Sequence, residues 1–238
     1  MANKYRIAGL LVSMESFGRT VEQAVPYLCD SQEAADFIVQ SNIEAVRETF
    51  PNMTDDMAEY LSTGSSFYRQ LLNYDGFMLH SSAVVVDGRA YLFSADCGTG
   101  KSTHTQLWLR HFGERAYILN DDKPALRIVD GKWYAFGTPW SGKYDMSVNE
   151  GVELAGIAML ERAEKNTIEP YTGKSAVFDI YRQVNRPKSY EYRDKLLILI
   201  GKLITDVPIW KLECNMETDA VEVAYNAMHD FGKMNNNE

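Results

Sequence analysis

The sequence predicts an α/β fold, a mixed sheet with flanking helices, on three observations. Two apolar segments fold back on themselves at Asp-Gly pairs, a strand–loop–helix–strand unit lies between these hairpins, and helix-period segments fill the C-terminal third. Antiparallel hairpins around such a unit exclude a purely parallel sheet.

Residues 5–15 alternate, with Ile7, Gly9 and Leu11 set against Arg6, Ala8 and Leu10, and predict a first strand. Thr54 before Asp55 and Asp56 is an N-cap with acids in the first turn, so a helix is expected over 54–61 and a second over 65–73, closed by Asp75-Gly76. Segments 83–86 and 89–93 flank Asp87-Gly88, and 125–129 and 132–136 flank Asp130-Gly131. Asp-Gly supplies the two positive φ angles of a type I′ hairpin. Between them come a glycine-rich loop, a helix over 101–110 that Gly113 ends, and a strand over 116–119. Further on, strands are expected over 152–160 and 209–214, helices over 175–184, 190–205 and 218–231, and a frayed polar tail over 235–238. No repeat or linker divides the chain, so residues 1–238 read as one domain: a strand and helix layer (1–75), a core (76–170), and C-terminal helices with a strand (171–238).

At 238 residues, with 45% hydrophobic and 24% charged residues, the composition excludes a disordered or fibrous chain. The longest aliphatic run, Leu196 to Ile200, falls far short of the roughly 20 residues of a membrane span. The N-terminus lacks the continuous apolar stretch of a signal peptide, which leads us to expect a cytoplasmic protein. Cys29, Cys97 and Cys214 are odd in number and scattered, which predicts reduced thiols. A net charge of −9 argues against nucleic acid, and no membrane partner is expected.

The strongest motif is Ala95-Asp96-Cys97-Gly98-Thr99-Gly100-Lys101-Ser102, which matches G-x-x-x-x-G-K-[ST] except at Ala95. Glycines let backbone N–H groups turn inward around phosphate oxygens, and the following helix points its positive end at the same anion. Lys101 would neutralise the outer phosphates and the Ser102 hydroxyl would face Mg²⁺. The alternative is a tight turn with an exposed lysine; the position between a strand and a helix favours the phosphate reading. Cys97 reads as a small, inert loop residue, and Ala95 requires an ordinary backbone angle.

Asn120-Asp121-Asp122 ends the next strand. Adjacent carboxylates repel, so the pair implies a cation or one solvated member, and twenty residues after Lys101 the metal reading outweighs a polar turn. His80, by itself, reads as a hydrogen-bonded core histidine. Trp140 and Lys143, in the segment 137–143, would face an acceptor from a lip of the site; otherwise Pro139-Trp140 is a turn packed on the core. Arg162 would reach a phosphate or pair with Glu161 or Glu164.

Leu79-His80, the first hairpin, the 95–102 octet and Asn120-Asp121-Asp122 together resemble, in order and spacing, the kinase core shared by bacterial HPr kinase/phosphorylase and phosphoenolpyruvate carboxykinase. The resemblance covers about residues 76–127 and extends loosely through 155–164. It implies a mixed-sheet P-loop core, ATP on the loop, and Mg²⁺ or Mn²⁺ bridging its phosphates. It also implies phosphate contacts from Cys97, Gly98, Thr99, Gly100, Lys101, Ser102 and Thr103, metal contacts from Ser102 and Asp122, Asp121 as general base, and His80 beside the phosphates or metal. The arginine- and glycine-rich signature of HPr kinase and an oxaloacetate-binding set are absent, so the resemblance implies a short, divergent member with a changed acceptor.

The expected function is ATP-dependent transfer of the γ-phosphate to a hydroxyl, either a serine of a peptide or protein or a small alcohol. The alternatives are a nucleotide-binding regulatory or peptide-processing accessory protein without phosphotransfer, and a simple nucleoside triphosphate hydrolase.

Overall fold

The computed structural model describes residues 2–234, with side chains through residue 229; the predicted tail over 235–238 lies outside the described residues. The N-terminal layer is a three-stranded sheet of β1 (Asn3–Ile7), β2 (Leu10–Met14) and β3 (Phe37–Val39), with helices α1 (Gly18–Ala24), α2 (Ile43–Thr49) and α3 (Asp55–Leu71). The expected single strand over 5–15 is instead the hairpin β1–β2. Ala8 and Gly9 turn at φ +52° and +78°, and Arg127 Nη1 donates to the Ala8 carbonyl at 2.6 Å. An Ala-Gly pair carries a weaker turn signal than Asp-Gly, and the alternation on either side of it suits one strand as well as two.

The helices expected over 54–61 and 65–73 are one helix, α3, capped by Thr54 Oγ1, which accepts from the Met57 N–H at 3.4 Å. It is followed by a 3₁₀ turn (Leu72–Tyr74), and Asp75 then adopts a left-handed φ of +55°. Gly64 does not break α3; it makes room for the Trp140 indole, since a Cβ there would sit 2.9 Å from Trp140 Cδ1.

The second sheet is mixed and nine-stranded. Its strands are β4 (Gly76–Met78), β5 (Ser81–Val86), β6 (Arg89–Ser94), β7 (Ala116–Asn120), β8 (Ala125–Val129), β9 (Lys132–Phe136), β10 (Gly151–Arg162), β11 (Thr167–Pro170) and β12 (Ile209–Cys214). Its order is β4-β8-β9-β10-β6-β5-β7, and β12, carrying β11, pairs with the second half of β10. Both Asp-Gly hairpins form as expected, with Asp87 and Asp130 at φ +49° and +50°.

Helix α4 (Lys101–Phe112) joins β6 to β7, α5 (Gly173–Arg182) and α6 (Tyr190–Asp206) lie between β11 and β12, and α7 (Asp219–Met234) ends the described chain. Successive strand residues face opposite sides. Ala83, Val85 and Leu92 therefore pack with Ile180, Leu196 and Ile200 of α5 and α6. Val84, Tyr91 and Phe93 pack with Trp108 of α4 and with Val221 and Ala224 of α7. Burial on both faces explains why β5 reads as a continuous apolar run. Sequence patterns did not predict β3, α1, α2 or β11, which are short. Among the described residues no helix is long and apolar enough to cross a membrane.

Candidate functional site

Strand directions bring the predicted residues to one sheet edge. β10 runs parallel to β6, and β5 runs antiparallel to both β6 and β7. The C-terminal ends of β6, β7 and β10 thus share an edge with the start of β5. That edge carries the 95–102 loop, Asn120 to Asp122, Arg162 and His80.

Gly98 and Gly100 take φ values of +81° and +124°, where an L side chain is strained, and a Cβ at either would meet nothing within 4 Å. The mouth of the loop is therefore open. Ala95 keeps an ordinary φ and is buried, so a glycine is not required there. Gly100 caps α4 without a side-chain hydrogen bond, and Thr103 and Cys97 are exposed.

Lys101 is buried, and its Nζ donates to the Ala95 carbonyl at 2.9 Å and to that of Asp96 at 3.5 Å. Burial holds its ammonium below the usual lysine range against the opposing pull of Asp122, Cys97 and Asp121. From β10, Arg162 Nε donates to the Thr99 carbonyl at 2.8 Å, and its Nη2 donates to that of Gly98. Arg162 thus grips the loop itself, while Glu161 pairs with Lys211.

The two aspartates sit in opposite environments. Asp121 is 4% exposed; burial raises its pKa, against hydrogen bonds from Ser82 and Ser102 that favour the carboxylate. Ser82 Oγ donates to Asp121 Oδ1 at 2.7 Å and meets Thr105 Oγ1 at 2.8 Å. For Asp122, burial also pushes upward, but the His80 hydrogen bond and the Lys123 ammonium outweigh it and hold the carboxyl well below its usual range. His80 Nε2 lies 3.2 Å from Asp122 Oδ1, and Lys123 Nζ bonds Oδ2.

The 137–143 segment does lie at the acid pair, but through its backbone. A Cβ at Gly142 would sit 2.5 Å from Asp122 Cβ, and Arg19 of α1 donates to the Gly142 carbonyl. Trp140 does not face the loop. It is 1% exposed, stacks on Phe67 at 5.0 Å, donates from Nε1 to Thr63 Oγ1 at 3.3 Å, and walls a small pocket of about 160 Å³ beside Lys123. Lys143 is exposed, with its ammonium 5.4 Å from the Tyr144 ring centroid. Neither side chain joins the loop and acid cluster. Buried His104, its pKa lowered to about 4 by burial, accepts from Trp108 Nε1 at 3.1 Å and is a packing residue.

A cleft of about 480 Å³ opens along the first half of the loop, walled by Asp96, Cys97, Glu161, Arg162, Arg182 and Gln183. Sequence reasoning missed Ser82, Lys123, Arg182 and Gln183. Ser82 and Lys123 were within reach of it, being two residues from His80 and adjacent to Asp122; a glutamine just past the end of α5 carries no local signal.

No family model matches the chain, and no curated protein matches it. Among solved structures, the chain is similar to the HPr(Ser) kinase/phosphatase from Coxiella burnetii at 11% identity, with 67% of this chain and 96% of that chain covered and a TM-score of 0.38. This is a distant likeness of fold.

Proposed function

We propose that the chain binds ATP with a divalent cation at the 95–102 loop and transfers the terminal phosphoryl group to a hydroxyl acceptor. The observation that carries this reading is the Ser82 hydroxyl, which donates to Asp121 Oδ1 at 2.7 Å and meets Thr105 Oγ1 at 2.8 Å, and so ties the acid pair to the helix that Lys101 begins. A loop with outward glycines, a helix start without a side-chain cap and a buried lysine suits a polyphosphate.

The residues present fit a cation of the Mg²⁺ type. Among the described residues no three His, Cys, Asp or Glu side chains converge into a metal cage. Mg²⁺ needs none, because it takes one or two protein oxygens and completes its shell with phosphates and water. Ser102 and Asp122 would hold it, and it would neutralise charge on the phosphates when bound. Lys101 offsets the same charge from the protein side.

The two carboxyl groups divide acid–base work because their surroundings push their pKa values apart. Asp121, pushed up by burial, is the better base: it takes the acceptor proton as the acceptor oxygen bonds to phosphorus and the bond to the ADP oxygen breaks. Asp122, kept ionised beside His80 and Lys123, serves the cation side.

Calorimetry with ATP, with and without Mg²⁺, tests the binding step, and ADP formation against hydroxyl acceptors tests transfer. The reading expects Mg²⁺-assisted uptake and an Asp121→Asn variant that keeps nucleotide affinity while losing turnover. Absence of uptake overturns it, and ADP release that ignores every acceptor replaces transfer with hydrolysis.

A further inference from the structure

One side chain ties the loop to the His80–Asp122 pair. Gln183 follows α5 and is buried. Its Nε2 donates to Asp96 Oδ1 at 2.7 Å, its Oε1 lies 3.0 Å from His80 Nδ1, and its carbonyl accepts from the His80 N–H at 2.7 Å. Arg182 Nη2, next to it in sequence, lies 3.6 Å from the other Asp96 oxygen.

The hydrogen-bonding rules fix this chain in one sense. An ionised aspartate only accepts, so the Gln183 amide must turn its NH₂ toward Asp96 and its oxygen toward His80. That makes His80 Nδ1 a donor, with Nε2 facing a second acceptor, Asp122 Oδ1, at 3.2 Å. The sequence Asp96–Gln183–His80–Asp122 therefore crosses from the loop to the acid pair, and its last contact is a hydrogen bond when Nε2 carries a proton as well as Nδ1.

Asp96 gives the chain its purpose. It is a carboxylate within a loop open to an anion, and its charge repels phosphate oxygens unless it is turned away and neutralised. Gln183 and Arg182 hold it toward α5, on the cleft side of the loop. We propose that Gln183 is a positioning residue that latches Asp96 away from the phosphate cradle and, through the same amide, sets the orientation of His80 against Asp122. The consequence for nucleotide binding rests on the proposed nucleotide reading; the consequence for His80 does not.

A reciprocal exchange tests the latch. Gln183→Glu sets two carboxylates against each other across a 2.7 Å contact, and we expect it to weaken Mg²⁺–ATP binding about tenfold or more by calorimetry. Asp96→Asn combined with Gln183→Glu swaps donor and acceptor and restores the bond, and should recover affinity to within about threefold of Asp96→Asn alone. A role confined to packing α5 would lower the thermal midpoint without this pattern of loss and rescue. Equal affinity in wild type and Gln183→Glu, or a double variant no better than Gln183→Glu, overturns the latch.

Ring-nitrogen NMR of His80 in the wild-type protein gives a readout that needs neither nucleotide nor a variant that folds. A protonated Nδ1 supports the chain of bonds, and an unprotonated Nδ1 overturns it. If the wild type takes up no nucleotide, the phosphate reading fails, and the His80 spectrum still decides the orientation.

Discussion

The Ser82 hydroxyl donates to Asp121 Oδ1 at 2.7 Å, and both residues are buried at the start of β5 and the end of β7. Buried carboxylates are tolerated where donors replace lost water. Ser82→Ala removes one such donor and should cost about 1–3 kcal/mol in urea unfolding at pH 7. It should also raise the Asp121 pKa further, because the lost bond favoured the ionised form.

Opposite environments at adjacent residues give opposite pH dependences. Asp122 has a folded pKa below its unfolded value near 3.8, so its contribution to stability is present above that value and is lost as pH falls below it. Asp121 has a folded pKa above 3.8, so its contribution is favourable below that value and is lost as pH rises through the folded pKa. In urea titrations from about pH 3 to pH 7, Asp122→Asn should flatten the acid-side fall in stability, and Asp121→Asn should gain stability relative to wild type as pH rises. Shifts of the same sign in both variants would refute the split between the two aspartates.

Arg162 offers a second handle on the loop. Carbonyl and N–H point opposite ways across a trans peptide, so drawing the Thr99 carbonyl toward Arg162 turns the Gly100 N–H to the other side. Arg162→Ala should therefore weaken Mg²⁺–ATP binding by about tenfold, the order expected for losing a charge-assisted pair of bonds. Arg162→Lys should not restore it, since an ammonium cannot span both carbonyls as the guanidinium fork does. Full affinity in Arg162→Lys would show that charge alone suffices.

What was legible in the sequence follows the strength of local chemistry. Asp87-Gly88 and Asp130-Gly131 impose positive φ on two residues each, so both hairpins were readable with their turns. Ala8-Gly9 makes a comparable turn that depends on Arg127, 119 residues away, and no local pattern reports that. The expected gap between helices over 54–61 and 65–73 is instead continuous helix, and the reason a glycine stands there, the Trp140 ring against Gly64, comes from a distant segment. The same holds at the site. Lys101, Ser102 and the aspartate pair lie in motifs with fixed spacing, whereas Gln183 reaches Asp96 across 87 residues through the packing of α5 on the sheet.

Trp140 separates a packing role from an acceptor role. The indole is enclosed by Phe67, Tyr68 and Gly64 of α3, at the junction of the N-terminal layer with the second sheet. Trp140→Ala should cost about 3–5 kcal/mol by deleting a large buried ring. Gly64→Ala gains about 1 kcal/mol of helix propensity but places a methyl 2.9 Å from Cδ1, an overpacking worth about 1–3 kcal/mol, so the net change should be a loss. Urea unfolding of both variants gives the expected order, with Trp140→Ala the less stable, while Mg²⁺–ATP affinity at a temperature where both are folded stays at the wild-type value. A Trp140→Ala protein of wild-type stability that has lost turnover on a hydroxyl acceptor would return Trp140 to the acceptor side, because only a ring released from the α3 core could contact substrate.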